Sequence, residues 1–424
     1  MLTAIVILQV LLGIDLLINS SKEFSFLKVI SNLAVFQWLL WPAIYFTDIN
    51  PGQVLEITIM QVSQEEYFSF AWPATLLLIV GLSYVRLYKV NWQDAIHTIQ
   101  YKYNSKKYIQ LAIAGIVFQI IAPLAPISLR FVLKILSYLA FVGVSGLILK
   151  QQKTARDKII LVFLVGSSLL GALKEAMFGE VIFFALLLSL LYVRVNRTSN
   201  WYKISLFSIL VITGLFIQLI KMPLRLLHEQ GKTNLLENLS TLNRNGHVSL
   251  NKIKSDAFMG YTIARFNNGA VISFVLDRVP NKIDYANGNT VSSAVLGSFI
   301  PRILWPNKEI SGKEMYLKYT GLKFGGASYG ISQLGESYAN FGRKRGIIFM
   351  FLLGLTLSIF TKKILKLCAK NPMLILYLPV LFLHTVKVET ELNRSLGFLI
   401  RMLIVLFVLN AGLKMISQGK YRLY

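Results

Sequence analysis

The chain has 424 residues, of which 55% are hydrophobic and only 15% charged, whereas a soluble domain carries about 25% charged residues. With a mean hydropathy of +0.58, a soluble globular enzyme is excluded, and the length fits one polytopic membrane bundle with a sizeable loop. The single cysteine, Cys368, excludes an internal disulfide and any multi-cysteine metal site, and four scattered histidines (His97, His228, His247, His384) show no ligand spacing.

About 20 apolar residues cross a bilayer as a helix. In chain order, spans are predicted near 2–19, 28–47, 67–85, 108–124, 131–149, 158–173, 178–194, 203–220, 346–361, 372–386 and 395–415. That makes an all-α polytopic protein of about eleven transmembrane helices. The organisation reads as an N-terminal bundle (1–220), an extracytoplasmic loop or cap (221–345) and C-terminal spans (346–424), integrated into one domain. The first span lacks a basic leader and holds Asp15, so no cleavable signal peptide is expected.

The formal charge of +24 is unevenly placed. One set of connections holds Lys22 and Lys28; Arg86, Lys89, Lys102, Lys106 and Lys107; Lys150, Lys153, Arg156 and Lys158; and Arg194, Arg197 and Lys203. Beyond the long loop it continues with Lys362, Lys363, Lys366 and Lys370, then Lys414, Lys420 and Arg422. The alternate short connections hold only Arg130, Lys174, Lys387 and Arg394. Lysine and arginine favour short cytoplasmic loops, so the C-terminus is expected inside and, with eleven spans, the N-terminus outside. Residues 86–107 mix cations with Trp92, Tyr101 and Tyr103. They read as a positive-inside loop with aromatic anchors, or as an interfacial helix on an anionic leaflet, and not as a nucleic-acid site.

The loop 221–345 carries 17 Lys/Arg and 8 Asp/Glu. A basic outer surface points to an anionic partner, with phosphate and diphosphate lipid head groups the nearest at hand. Within the loop, 256–279 reads as a helix capped by Asp256 and ended by Pro280. Trp305, Tyr316, Tyr319, Tyr329 and Tyr338 suggest a packed cap with aromatic faces suited to sugar rings.

Three strings in the loop stand out: Tyr285-Ala286-Asn287-Gly288-Asn289-Thr290; Phe299-Ile300-Pro301-Arg302-Ile303-Leu304-Trp305-Pro306-Asn307-Lys308; and Gly335-Glu336-Ser337-Tyr338-Ala339-Asn340-Phe341-Gly342. In this order, inside a long outer loop followed by a few final spans, they resemble the Wzy-type polymerases of O-antigen and capsular polysaccharide. The likeness covers roughly residues 160–400; the earlier spans match in hydropathy only. The resemblance implies a GT-C-like bundle in a bacterial cytoplasmic (inner) membrane, with its active face extracytoplasmic. It also implies transfer of a glycan from undecaprenyl diphosphate onto the non-reducing end of a lipid-linked repeat unit. No cofactor or metal is implied, and a chain-length-regulating co-polymerase is an expected partner, alongside membrane lipid.

Such a reaction builds negative charge on a leaving diphosphate, which arginine can hold bidentately. Arg302, flanked by Pro301 and Trp305-Pro306, is the leading candidate, with Arg265, Arg278 and Lys308 as further cations. Lys174 and Arg394 sit at outer span ends, where ionisable groups tend to line polar cavities or snorkel to head groups. Glu336 is the candidate general base and His384 its rival. Asn340 and Tyr338 are candidates for sugar hydroxyls, Tyr338 equally for cap core. Two other activities fit the same features less well: an O-antigen ligase transferring glycan to lipid A core, and a lipid-linked oligosaccharide flippase, which would show two similar halves with polar residues spread along many spans.

Overall fold

The computed structural model describes residues 1–48, 59–84, 91–174, 178–229, 263, 265–300, 305, 312–322 and 330–421. Among them every regular element is helical. Helix α1 (Leu2–Asn19) is apolar and, of its residues, only Ile5 is buried by protein. Its one carboxylate, Asp15, lies 3.1 Å from Lys28 Nζ on α2 (Phe26–Ala34), and that ammonium is also 3.3 Å from Glu23. The pairing accounts for an acid inside an apolar span, where an isolated charge is costly. A π-helical turn, Val35–Leu40, joins α2 to α3 (Trp41–Asp48). Helix α4 (Gln64–Ser83) begins at Ser63, whose hydroxyl accepts from the Glu66 N–H. Glu65 and Glu66 fill its first turn, where the helix dipole favours acids.

Next come α5 (Gln93–His97), α6 (Ser105–Ile121), α7 (Ile127–Ser137), α8 (Leu139–Leu149), α9 (Ala155–Lys174), α10 (Gly179–Asn196) and α11 (Asn200–Glu229). Within the described part of the long loop, α12 (Asn268–Arg278), α13 (Asn289–Val295) and α14 (Lys313–Thr320) lead to α15 (Ser332–Lys370), α16 (Leu374–Leu381) and α17 (Leu392–Tyr421).

Seven stretches among the described residues are long and apolar enough to cross a membrane: Leu2–Asn19, Phe26–Thr47, Gln64–Ser83, Ser105–Leu124, Leu129–Leu149, Gly179–Asn196 and Ser332–Lys370. Large apolar side chains such as Val162 and Phe163 (73% and 69% exposed) point away from the protein, as a lipid solvent requires. The chain is thus an all-helical, multi-pass membrane protein. The expected eleven spans are not all found among the described residues. The expected span at 372–386 forms only the eight-residue α16, which contains Pro379 and then gives way to turns. Eight residues rise roughly 12 Å, well short of a hydrocarbon core about 30 Å thick.

The central packing is the crossing of α4 on α15. A Cβ at Gly81 would stand 2.5 Å from the Phe351 carbonyl oxygen, and one at Gly354 would stand 2.5 Å from that of Leu78. The two backbones meet because both residues lack a side chain, and Ser358 Oγ, one turn on, donates to the carbonyls of Gly81 and Leu82 at 3.0 and 2.7 Å. Small residues and short interhelical hydrogen bonds are the usual means of close helix approach in lipid. Helices α6 and α8 meet similarly, with the Tyr108 ring laid against Gly146.

The predicted helix at 256–279 is described in its second half only. A helical turn at 265–266 breaks at Asn267 (φ −82°, ψ 75°), and α12 then runs to Arg278, two residues before Pro280. The expected cap Asp256 lies outside the described residues. The string Gly335–Gly342 lies on α15 itself, which begins at Ser332 and breaks at Gly342 (φ 67°, ψ −168°). Helix therefore reaches well ahead of the expected span start at 346. Glycine suits this break twice over. The positive φ strains other residues, and the Tyr285 hydroxyl lies 3.0 Å from where a Cβ would stand.

Many of the basic connections gather at one end of the bundle. Lys203 Nζ donates to the Leu17 and Ile18 carbonyls at the C-terminus of α1 (2.9 and 3.1 Å), Arg194 reaches Ser21 O, and Gln100 and Gln151 meet on Asn196. Glu180, in the first turn of α10, faces His384. It marks the opposite end from Arg194, in the last turn of the same helix.

Candidate functional site

Among the described residues, the end marked by Glu180 gathers a dense set of buried and half-buried ionisable groups. It is built by the turn segment between α16 and α17, the start of α15, and the helical turn holding Arg265. Two of the three quoted strings meet here. The Ala286 N–H donates to the Ala339 carbonyl at 2.9 Å. The Asn340 amide donates to Thr290 Oγ1 and to the Glu336 carbonyl (2.7 and 2.8 Å), and its oxygen accepts from the Gly288 N–H at 3.0 Å. Asn340, with 1% exposure, is therefore committed to clasping the 285–290 turn onto α15. Tyr338 packs its ring 5.0 Å from Phe70 and 6.4 Å from Tyr285, at the seam between α4, α15 and the loop.

Glu336 is buried, and its Oε2 accepts from the Leu392 N–H at 2.6 Å. Leu392 is the first residue of α17, so the carboxylate anchors a helix N-terminus, where the macrodipole favours an anion. Just before it, Arg265 Nη2 lies 3.1 Å from Glu389 Oε1, and Arg394 Nε lies 3.3 Å from Glu391 Oε1. Gly330 presses so closely on Glu391 that a Cβ there would stand 2.5 Å from Oε2. Lys387 rests its ammonium 5.4 Å from the centre of the Phe183 ring. Burial lowers its pKa below the ordinary lysine value, while the carboxylates of Glu180 and Glu389 pull the other way. His384 Nε2 lies 3.2 Å from the Tyr138 hydroxyl and 3.8 Å from Glu180 Oε1. Arg401 donates to the Asn393 carbonyl at 2.7 Å and covers the Phe131 ring.

Among the described residues, several buried polar atoms of this region find no hydrogen-bond partner: Glu389 Oε2, both Glu391 carboxylate oxygens, and both side-chain polar atoms of Gln333 and of Asn267. Buried polar groups are nearly always satisfied, so these atoms can take up polar groups beyond the described residues. Among the described residues no three His, Cys, Asp or Glu side chains are grouped to hold a metal ion.

Of the residues singled out in the sequence, the fold gathers Glu336, Arg265, Arg394, Asn340 and Tyr338 at this end of the bundle. Arg278 is engaged elsewhere. Its guanidinium lies against Gly321, at the C-terminus of α14, where a cation complements the helix dipole. Arg302 and Lys308 lie outside the described residues, as does the Lys174 side chain. Sequence reading passed over Glu180, Lys387, Glu389 and Glu391. The signal was present in His384-Thr385-Val386-Lys387-Val388-Glu389-Thr390-Glu391-Leu392-Asn393-Arg394, whose density of ionisable groups is too high for a plain connection between spans.

Asn340→Ala is expected to remove three buried hydrogen bonds and leave the Gly288 N–H unsatisfied. A loss of about 2–3 kcal/mol follows, to be read as a lowered thermal midpoint of the purified protein in detergent.

Searched against family models, curated proteins and solved structures, the chain matches none of them.

Proposed function

We propose that the chain is a glycosyltransferase of the polysaccharide-polymerase type. It transfers a glycan from undecaprenyl diphosphate onto the non-reducing sugar of a lipid-linked repeat unit, at the outer face of a bacterial cytoplasmic membrane. The observation that carries the reading is the acid–base cluster of the buried Lys387 and Glu391 with the half-buried Arg265, Glu389 and Arg394, which stands beside the clasp between the Tyr285–Thr290 and Gly335–Gly342 strings. A flippase would instead be expected to show two similar halves with polar residues spread along many spans.

In the reaction, the bond from the anomeric carbon to the diphosphate oxygen breaks and its electron pair leaves with the diphosphate. The acceptor hydroxyl oxygen bonds to the same carbon, and its proton passes to a carboxylate. Arg302 with Lys308, joined by Arg265 and Arg394, holds the leaving diphosphate through charge-assisted hydrogen bonds. The proton acceptor is Glu336 on the strength of its string. Glu391 is the second candidate, because neither of its buried oxygens has a hydrogen-bond donor.

The test is a reconstituted assay with purified protein and a lipid-linked repeat unit, its products resolved on a gel with EDTA present. A ladder of multiples that survives EDTA and is lost in Arg302→Ala is the expected result. Transfer only onto added lipid A core would make the protein a ligase. Inactivity with every acceptor, together with lipid movement across liposomes, would make it a transporter.

A further inference from the structure

A second polar site lies at the opposite, basic end of the bundle, and it does not depend on the proposed chemistry. The last turn of α10, helix α5 and the π turn after it enclose a pocket of about 280 Å³. Arg194, Arg197, Asn91, Gln93, His97 and Gln100 line it. Its size is that of a small head group rather than a sugar chain.

The arginines are held in a way that leaves their donors unspent. Trp92, 4% exposed, lies beneath Arg194, with the guanidinium carbon 5.5 Å from the ring centre. That stacking fixes the plane of the fork. One nitrogen reaches the Ser21 carbonyl at 3.4 Å, the long limit of a hydrogen bond, and Nε is buried with no partner among the described residues. Arg197 closes α10 in a left-handed conformation (φ 48°, ψ 48°), a place where glycine is usual and other residues are strained. Its side chain is exposed. Glu23, the nearby carboxylate that offsets Arg194, is held by Lys28 at 3.3 Å. Asp94 in the first turn of α5 is exposed. If the two arginines served only to neutralise the carbonyls at the end of α10, Arg194 would donate to them. It turns instead to Trp92 and Ser21.

We propose that this pocket binds a phosphate-bearing anion between Arg194 and Arg197, with the side-chain amides of Asn91 and Gln93 beside it. Two guanidinium groups facing one pocket repel each other, and an oxyanion between them removes that repulsion while taking up their free donors. The anion is either the head group of an anionic lipid in the leaflet that the Lys/Arg bias assigns to the cytoplasm, or a free phosphate.

The test uses the full chain in detergent, equilibrated with equal amounts of phosphatidylglycerol and phosphatidylcholine and read by native mass spectrometry. A parallel arm measures thermal midpoint against inorganic phosphate. The wild type is expected to retain phosphatidylglycerol about tenfold over phosphatidylcholine, and Arg194→Gln/Arg197→Gln to lose the preference. Arg197→Gln alone alters an exposed side chain and keeps the comparison valid should the double variant fail to fold. A midpoint raised by phosphate in the wild type but not in the variants assigns the free anion, and a preference for the lipid without that rise assigns the head group. Equal retention of both lipids by wild type and Arg197→Gln, with no response to phosphate, overturns the site.

Discussion

Glu391→Gln is expected to slow glycan transfer by about two to four orders of magnitude, the usual contribution of a general base, while the protein still folds. The side chain is 1% exposed, and its oxygens carry no hydrogen bond. Among the described residues its charged contact is Arg394, which is 41% exposed and can return to solvent if the partner is neutralised. The amide keeps the shape of the carboxylate and removes its capacity to accept a proton. Glu336→Gln is the necessary comparison. Its carboxylate receives the Leu392 N–H at 2.6 Å, a bond that the amide oxygen of glutamine can also accept. If Glu336 only anchors α17, the glutamine variant keeps its rate and Glu336→Ala lowers the thermal midpoint, because a buried N–H is then left unpaired. If Glu336→Gln loses the rate at an unchanged midpoint and Glu391→Gln does not, the base is Glu336. A full rate in both glutamine variants would remove the acid–base part of the mechanism.

Gly354→Val is expected to abolish folded expression or to lower the thermal midpoint steeply, at a cost of about 3 kcal/mol or more. The added Cβ would lie 2.5 Å from the Leu78 carbonyl oxygen and 3.0 Å from the Leu82 nitrogen. Both are backbone atoms in the last turns of α4, so no side-chain rotation relieves the clash and the helices must part. Separation would also break the bonds from Ser358 to the Gly81 and Leu82 carbonyls. The control is Gly166→Val in α9, where nothing lies within 4 Å of the new Cβ. It is expected to express and melt like the wild type, and a similar loss in both variants would refute the packing argument. The measurement is size-exclusion elution and thermal midpoint in one detergent.

Most of the spans were legible in the sequence because each rests on a local sum. Twenty apolar residues together escape the cost of exposure to water, whatever they pack against. The bias of basic residues was legible for the same reason, being a property of composition along the chain. The string Gly335–Gly342 stood out by its residue types, but its helical state could not be read from them. What stayed hidden was set by partners far away in the chain. Hydropathy carries 372–386 across a membrane, yet α16 stops at Leu381, where the chain turns so that His384 meets Tyr138 and Glu180 and Glu389 meets Arg265. A charge is costly in lipid only until it is paired, and pairing over more than a hundred residues leaves no mark on local periodicity. Asn340 shows the same limit. Its type suits a sugar hydroxyl or a backbone turn equally well, and it became a clasp only because folding laid Gly288 and Thr290 against it. Likewise Gly81 and Gly354 read as unremarkable interruptions until α4 and α15 cross, since the space a missing side chain leaves has meaning only when another backbone enters it.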